Sequence, residues 1–401
     1  FLEQTDPVAD LVLNNNYHQT QAIALAYRDC RERLDEYIRL MKDYEQQGKL
    51  NRSLEFLPDE EELQDRRNDN TGLTKPELAV LISYTKADMK ERLNASKITS
   101  DEYISKILST AFPEALNKKF SEAINNHRLR KEIIATQLAN DMINHMGITF
   151  VNRLGDSTGA SITDIARAYV TARDTFSLHE HWREISALDY KVSTEVQENM
   201  MAELMRLVRR ATRWFLRNRR VAVDIASEVE RFGTAVQHIA HNLSSTLKGD
   251  ALKRWQKEFD KRQEQGVPKT LAAFTAGAGE LYSSLGIIEA AAQSDCPVER
   301  VTQAYFGVGD HLSLNWFLRQ INDLPTSNHW EAMARESFRD DLDWQQRSLT
   351  VGILKGHSDE TDLELAIEHW EKEQDILVER WGRMLEDLKS IEQTSFPMIA
   401  V

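Results

Sequence analysis

Helix breakers and cysteines are scarce in this chain. Its 401 residues include 8 prolines, 16 glycines and 2 cysteines. So few prolines and glycines leave few points where a regular helix must stop. Cys30 and Cys296 lie far apart in sequence. That excludes a disulfide framework and a cysteine metal site, and it suits a reducing cytoplasm. Runs of alternating β-branched residues are almost absent, which argues against sheets. No apolar run approaches the ~20 residues that span a bilayer. The longest are short, such as Leu78–Ile82. The opening FLEQTDPVAD has neither an initiator Met nor a basic-then-apolar leader, and it is expected to be the interior of a longer chain.

What is present describes a globular protein. Hydrophobic residues make up 41% and charged residues 28%, with a mean hydropathy of -0.52. That balance can bury a core. Lys and Arg total 50 against 64 Asp and Glu, a formal net charge of -14. Such a surface disfavours nucleic acid and anionic membrane as partners. The length predicts two or three packed units. The expected division is a long helical segment over 1–50, a helical subdomain over 51–232 and a second over 233–401.

Helix start signals recur. Thr74 and Glu77 have capping-box spacing, with Pro76 in the first turn, where a missing N–H does no harm. The same spacing occurs at Thr99/Glu102, Ser161/Asp164, Asn328/Glu331 and Thr361/Glu364, each before an apolar-periodic run. The expected fold class is all-α: an irregular multi-helix bundle in two or more subdomains, with long helices and few or no strands. A first helix is predicted from about Thr5 to Gln47, bent and ending at Gly48. Its later half carries Tyr27, Cys30, Leu34, Tyr37, Met41 and Tyr44 at the three-four spacing of a packed seam. A loop is expected over Asn51–Gly72, with its acidic run Asp59–Glu62 either solvated or starting a helix. Gly155 and Gly159 are expected to flank another loop.

Catalytic signatures are missing. Gly277-Ala278-Gly279 and Gly307-Val308-Gly309 lack the third glycine of a dinucleotide loop, and neither follows a strand. The histidine pairs His179/His181 and His238/His241 have no acidic or cysteine residues to complete a metal set. No catalytic, cofactor-binding or metal residue is therefore assigned.

Two polar clusters remain. Arg206, Arg209, Arg210, Arg213 and Arg217, with Arg219 and Arg220, fall on one predicted helix beside an apolar side of Leu204, Leu207, Val208, Ala211, Trp214 and Phe215. They read either as ion pairs to the acidic remainder or as a docking face for an acidic surface, since arginine forks suit carboxylates. The second cluster is Arg128 and Arg130, followed on the same helix by Thr136, Asn140 and Asn144. Amides inside a helix are not there for helix propensity. They read as structural bonds to a neighbouring loop or as the lining of a small polar pocket.

The wording of several segments is specific. LTKPELAVLISYTK, HRLRKEIIATQLANDMINHMGITFVNRL, DIARAYVTARDTF and RRATRWFLRN together resemble the C-terminal helical region of the large bacterial NAD-specific glutamate dehydrogenases. DLVLNNNYHQTQAIAL, YFGVGDHLSLNWF and HWEAMARESFRDDL extend the resemblance across nearly the whole chain. It implies a parent enzyme that oxidatively deaminates L-glutamate to 2-oxoglutarate and ammonia with NAD. The family's catalytic lysine segment, its water-activating acid and its Rossmann fingerprint are missing from this sequence. The chain is thus expected to be an inactive assembly or regulatory domain that holds no cofactor itself. Its expected partners are the upstream catalytic domain of the same chain and further copies in a cytoplasmic homo-oligomer. Residues 1 to about 30 would pack against the nucleotide domain and leave an apolar face here. The rival reading is an independent helical adaptor that binds an acidic partner through Arg206–Arg220.

Overall fold

The computed structural model describes residues 5–219, 224–326, 329–357, 362–391 and 394–399. Among them all regular structure is helical. The helices are α1 Thr5–Arg28, α2 Leu34–Gln46, α3 Glu60–Asn68, α4 Lys75–Asn94, α5 Glu114–Asn125, α6 Arg130–Met146, α7 Phe150–Thr158 and α8 Ile162–Thr175. They continue as α9 Leu178–Ser186, α10 Thr194–Asn218, α11 Ile225–Thr246, α12 Gly249–Glu264, α13 Lys269–Ala276, α14 Ala278–Leu281 and α15 Ser284–Ser294. The last are α16 Val298–His311, α17 Leu314–Asp323, α18 His329–Gly356, α19 Leu363–Glu373, α20 Asp375–Lys389 and α21 Phe396–Ile399. Short 3-10 turns at Ile98–Ser100 and Ile104–Ala111 join α4 to α5. Two compact units emerge. The first holds the described residues up to Arg173 and of Val208–Glu228; the second holds Asp174–Leu207 and those from Val229 onward.

In the first unit, α4 packs along α6, and α1 leans on both. The start of α4 follows from its sequence. The Thr74 hydroxyl accepts from the Glu77 N–H at 3.5 Å, and Glu77 accepts in return from the Thr74 N–H at 2.6 Å. Arg66 clamps the same carboxylate through two bonds of 2.7 and 2.8 Å. Leu78, Leu81, Met89 and Leu93 of α4 and Ile134, Leu138 and Met142 of α6 are buried. Each large side chain so buried stabilises the fold by roughly 1.5–3 kcal/mol.

Some local expectations need correction. The first helix is not continuous: Asp29–Arg33 separates α1 from α2, and Gly48 follows at φ 70°. Cys30, Leu34, Tyr37, Met41 and Tyr44 are buried as the seam requires. Tyr27 is not; it is exposed, with the Lys75 ammonium 5.3 Å from its ring. The acidic run starts a helix inside the expected loop: Asp59 caps α3 by accepting from the Glu62 N–H at 2.9 Å. Thr99 makes no capping box, because it is buried in a 3-10 turn while Asp101 accepts from the Tyr103 and Ile104 N–H groups at 3.0 Å each. Gly155 lies within α7, and only Gly159, at φ 69°, ends it. The hydroxyl of Ser161 accepts from the Asp164 N–H at 3.2 Å. Asn328 and Thr361 lie outside the described residues; Asp362 caps α19 instead, accepting from the Glu364 N–H.

In the second unit α15, α16 and α18 pack on one another, with α17 and α19 added to the same group. A side chain at Gly309 would meet Gln346 Nε2 at 2.5 Å, so glycine lets α16 approach α18 closely. The Gln346 amide donates to the Tyr305 carbonyl at 2.8 Å. Among the described residues no single helix is long and apolar enough to cross a membrane. The bent pair Lys269–Ala276 and Ala278–Ser294 is apolar enough only when joined across a 60° turn. Its Leu271, Leu281, Leu285 and Ile287 are buried.

Candidate docking faces and buried polar clusters

The arginines of α10 do not form one exposed face. Arg206, in the second unit, donates to Glu203 on its own helix at 2.6 Å. The other four belong to the first unit. Arg213 is buried, with only 9% of its surface exposed, while Arg217 is exposed. Arg209 and Arg210 are half-buried. Arg209 acts on a second helix: burial pushes the Glu36 carboxyl of α2 up, but Arg153, Arg33, Thr149 and Arg209 together hold it below its ordinary value. Arg153 of α7 lies 3.2 Å from Glu36, and the Thr149 hydroxyl donates to it at 2.7 Å. Arg219 donates to Glu228 at 3.0 and 3.1 Å and lies over the Trp214 ring. Arg220 lies outside the described residues. The apolar side predicted for this helix is buried, including Leu204, Val208, Ala211 and Phe215.

The second predicted cluster is spread out. Arg128 is exposed before α6 begins. Arg130 donates to the Thr99 carbonyl at 3.2 Å, which ties α6 to the 3-10 turn. The Thr136 hydroxyl donates to Glu132 within its own helix. Asn140 and Asn144 are half-buried, and the Asn144 Oδ1 is enclosed without a hydrogen-bond partner among the described residues.

The same helix carries a stronger cluster that sequence reading missed. Asp141 of α6 accepts from Arg173 at 2.6 Å and from the Tyr169 hydroxyl at 3.1 Å, both on α8. His145 Nδ1, one turn along α6, stands 3.0 Å from the other carboxylate oxygen. Tyr169, His145 and Arg173 are buried. His18 of α1 completes the group, its ring centroid 5.7 Å from that of His145. Burial, then the neighbouring His145, lowers the His18 pKa, partly offset by Gln21 and Asp141. The network neutralises a buried carboxylate and holds three helices together. A sequence signal existed: two four-residue spacings, Asp141/His145 and Tyr169/Arg173, each put two polar groups on one face of a helix otherwise rich in apolar residues.

The second unit contains another partly buried acid. The Tyr305 hydroxyl of α16 donates to Asp343 of α18 at 2.9 Å and lies 3.3 Å from the Ser283 hydroxyl. Burial raises the Asp343 pKa to about 6, against the lowering pull of Arg347 and of the tyrosine bond. No group of three or more His, Cys, Asp or Glu among the described residues is placed to hold a metal.

Apolar surface is exposed at the start of α1. Its buried residues, Ala22, Leu25 and Ala26, all lie in the second half. In the first half Val8 is 46%, Val12 53% and Leu13 64% exposed. Val8 and Val12 lie one turn apart on one face, and Leu13 adds exposed apolar surface on the adjoining flank.

Comparison with known proteins accounts for the wording of the sequence. The family model described as glutamate dehydrogenase, C-terminal, matches residues 70–401. An NAD-specific glutamate dehydrogenase of Pseudomonas aeruginosa is 48% identical over 400 residues, which is 100% of this chain and 25% of that protein. The enzyme of the same name from Halomonas elongata is 41% identical over 399 residues, again 100% and 25%. That of Mycobacterium tuberculosis is 30% identical over 397 residues, 99% of this chain and 24% of its own length. The chain thus spans about a quarter of the length of these curated relatives.

Proposed function

The chain belongs to the glutamate dehydrogenase C-terminal family, and from that premise we propose that it is a helical docking and assembly domain of an NAD-specific glutamate dehydrogenase. The parent reaction is the oxidative deamination of L-glutamate to 2-oxoglutarate and ammonia. Its catalytic groups and NAD site belong to the upstream part of the same protein, and this domain itself is inactive. The observation that carries this reading is the exposed apolar surface of Val8, Val12 and Leu13 on α1. α1 precedes the segment matched by the C-terminal family model, yet the relatives align with it. It thus lies outside the segment that defines the C-terminal family but within the stretch shared with the relatives. Exposed Val and Leu beside a well-packed half-helix suit an interface with another domain. We extend the proposal to a homo-oligomeric parent enzyme in the cytoplasm.

An independent adaptor acting through α10 is less well supported, because Arg213 is buried and Arg206 and Arg219 are paired within their own units. The test is to introduce Val12→Asp with Leu13→Asp into the full-length enzyme. Glutamate-dependent NADH formation and assembly mass should both fall, while helical content stays unchanged. A double variant with normal mass and activity overturns the docking reading. NADH formation by residues 1–401 alone overturns the claim that this domain is inactive.

A further inference from the structure

A cavity of about 480 Å³ opens in the second unit between α17, α18 and α20. That volume lies in the range of small-molecule sites. Its walls are held in place. Trp381 donates its indole N–H to the Leu312 carbonyl at 2.8 Å, and Phe317 meets the Trp381 ring edge-on at 5.3 Å between centroids. The apolar lining is concave: Leu377, at 62% exposure, is its one strongly exposed apolar side chain. A protein-binding face would instead spread several exposed apolar side chains around the opening.

Three polar side chains share the lining. Asp341 and Gln345 lie one turn apart on α18, and Gln374 lies between α19 and α20. Among the described residues none makes a hydrogen bond or ion pair to these three side chains, so their bonding capacity is open. No Lys, Arg or His is among the lining residues. An anionic ligand would meet only the Asp341 carboxylate and two amides. A cation with N–H donors would meet acceptors at all three.

We propose that this cavity binds a small amphipathic molecule with an aromatic or branched-alkyl body and a cationic, hydrogen-bond-donating head. The body fills the space against Phe317, Leu342 and Trp381, and the head reaches Asp341. The proposal does not depend on how α1 docks.

The test uses two probes with one body and opposite heads, 4-phenylbutylamine and 4-phenylbutyrate, titrated into the full-length protein by calorimetry. The amine should bind saturably and about tenfold more tightly than the acid, the ratio expected when one favourable charge pair replaces one unfavourable pair of similar size in a half-open site. Asp341→Asn, at an exposed position, should bring the two probes to within about twofold of each other. Val378→Trp fills the cavity and should abolish binding of the amine. Equal binding of both probes to the wild type overturns the proposal. So does unchanged amine binding in a folded Val378→Trp protein. Saturable binding of neither probe also overturns it, and is the result expected if a protein segment occupies the cavity.

Discussion

Asp141 and Asp343 are both acids enclosed by helices, yet they are neutralised differently. Asp141 faces Arg173 at 2.6 Å and His145 at 3.0 Å, so a fixed cation offsets its charge. Asp343 faces the neutral Tyr305 hydroxyl at 2.9 Å, and its pKa rises to about 6. A carboxylate with a close cation has its charge offset and ties helices together. One bonded to a neutral hydroxyl, where burial outweighs the pull of Arg347, moves toward taking up a proton. The first arrangement makes stability depend on both partners. The second makes stability depend on pH.

The largest effect should come from breaking the first network. Asp141→Asn leaves Arg173 buried beside a neutral amide, a loss of about 3–5 kcal/mol. Denaturant unfolding at pH 7 measures it, and a loss under 1 kcal/mol would mean that Arg173 finds water or another acid.

Asp343→Asn should act in the opposite direction. The folded pKa of Asp343 lies above its ordinary value of 3.8. The folded state therefore holds its proton more tightly, and ionisation opposes folding above about pH 6. Wild-type stability should rise as pH falls from 6 toward 4, and the variant should lack that rise. At pH 7.5 the variant should be more stable by on the order of 2 kcal/mol. Equal stability of the two proteins at pH 7.5 would place solvent against Asp343.

Glu36 sharpens the comparison from the acid side. Its folded pKa is lowered, so its contribution is full above the ordinary carboxylate value of 4.5 and is lost as pH falls below it. Glu36→Gln should cost about 1–2 kcal/mol at pH 7 and progressively less as pH falls below 4.5. A deficit that does not shrink as pH falls below 4.5 would point to packing rather than charge.

Lys86 is the basic counterpart of Asp343. Burial alone lowers its pKa to about 8. Below that pH its charge opposes folding, and the penalty fades as pH rises toward 10.5. Lys86→Met should therefore stabilise the fold by about 1 kcal/mol at pH 7, discounted for partial exposure, and by less at pH 10. Thermal melts at the two pH values decide it.

Much of the fold was legible in the residues. The Thr74/Glu77 box, Pro76 and the three-four pattern over Cys30–Tyr44 each specify local structure through bonds within a few residues. The limits appeared where contacts were distant. Thr99 had the right spacing for a cap, but burial and the nearby Asp101 removed that role. Arg213 read as part of an exposed face and is buried, because helical spacing gives the faces of α10 but not what covers each one. The Asp141 network lay within a segment already quoted for its resemblance. Its meaning stayed hidden because Arg173 and Tyr169 sit about thirty residues away on another helix.

From its sequence alone this protein is all-helical and carries the wording of a glutamate dehydrogenase C-terminal region. Local hydrogen bonding and apolar periodicity determine the first, and a match to the family model over residues 70–401 with 30–48% identity to its relatives establishes the second. Only the tertiary structure decided which acids are buried, which cations meet them, where α1 leaves Val8, Val12 and Leu13 uncovered, and that α17, α18 and α20 enclose a cavity. Those outcomes depend on which helices pack together. Packing sums many weak contacts between residues distant in the chain, and no short window of sequence contains that sum.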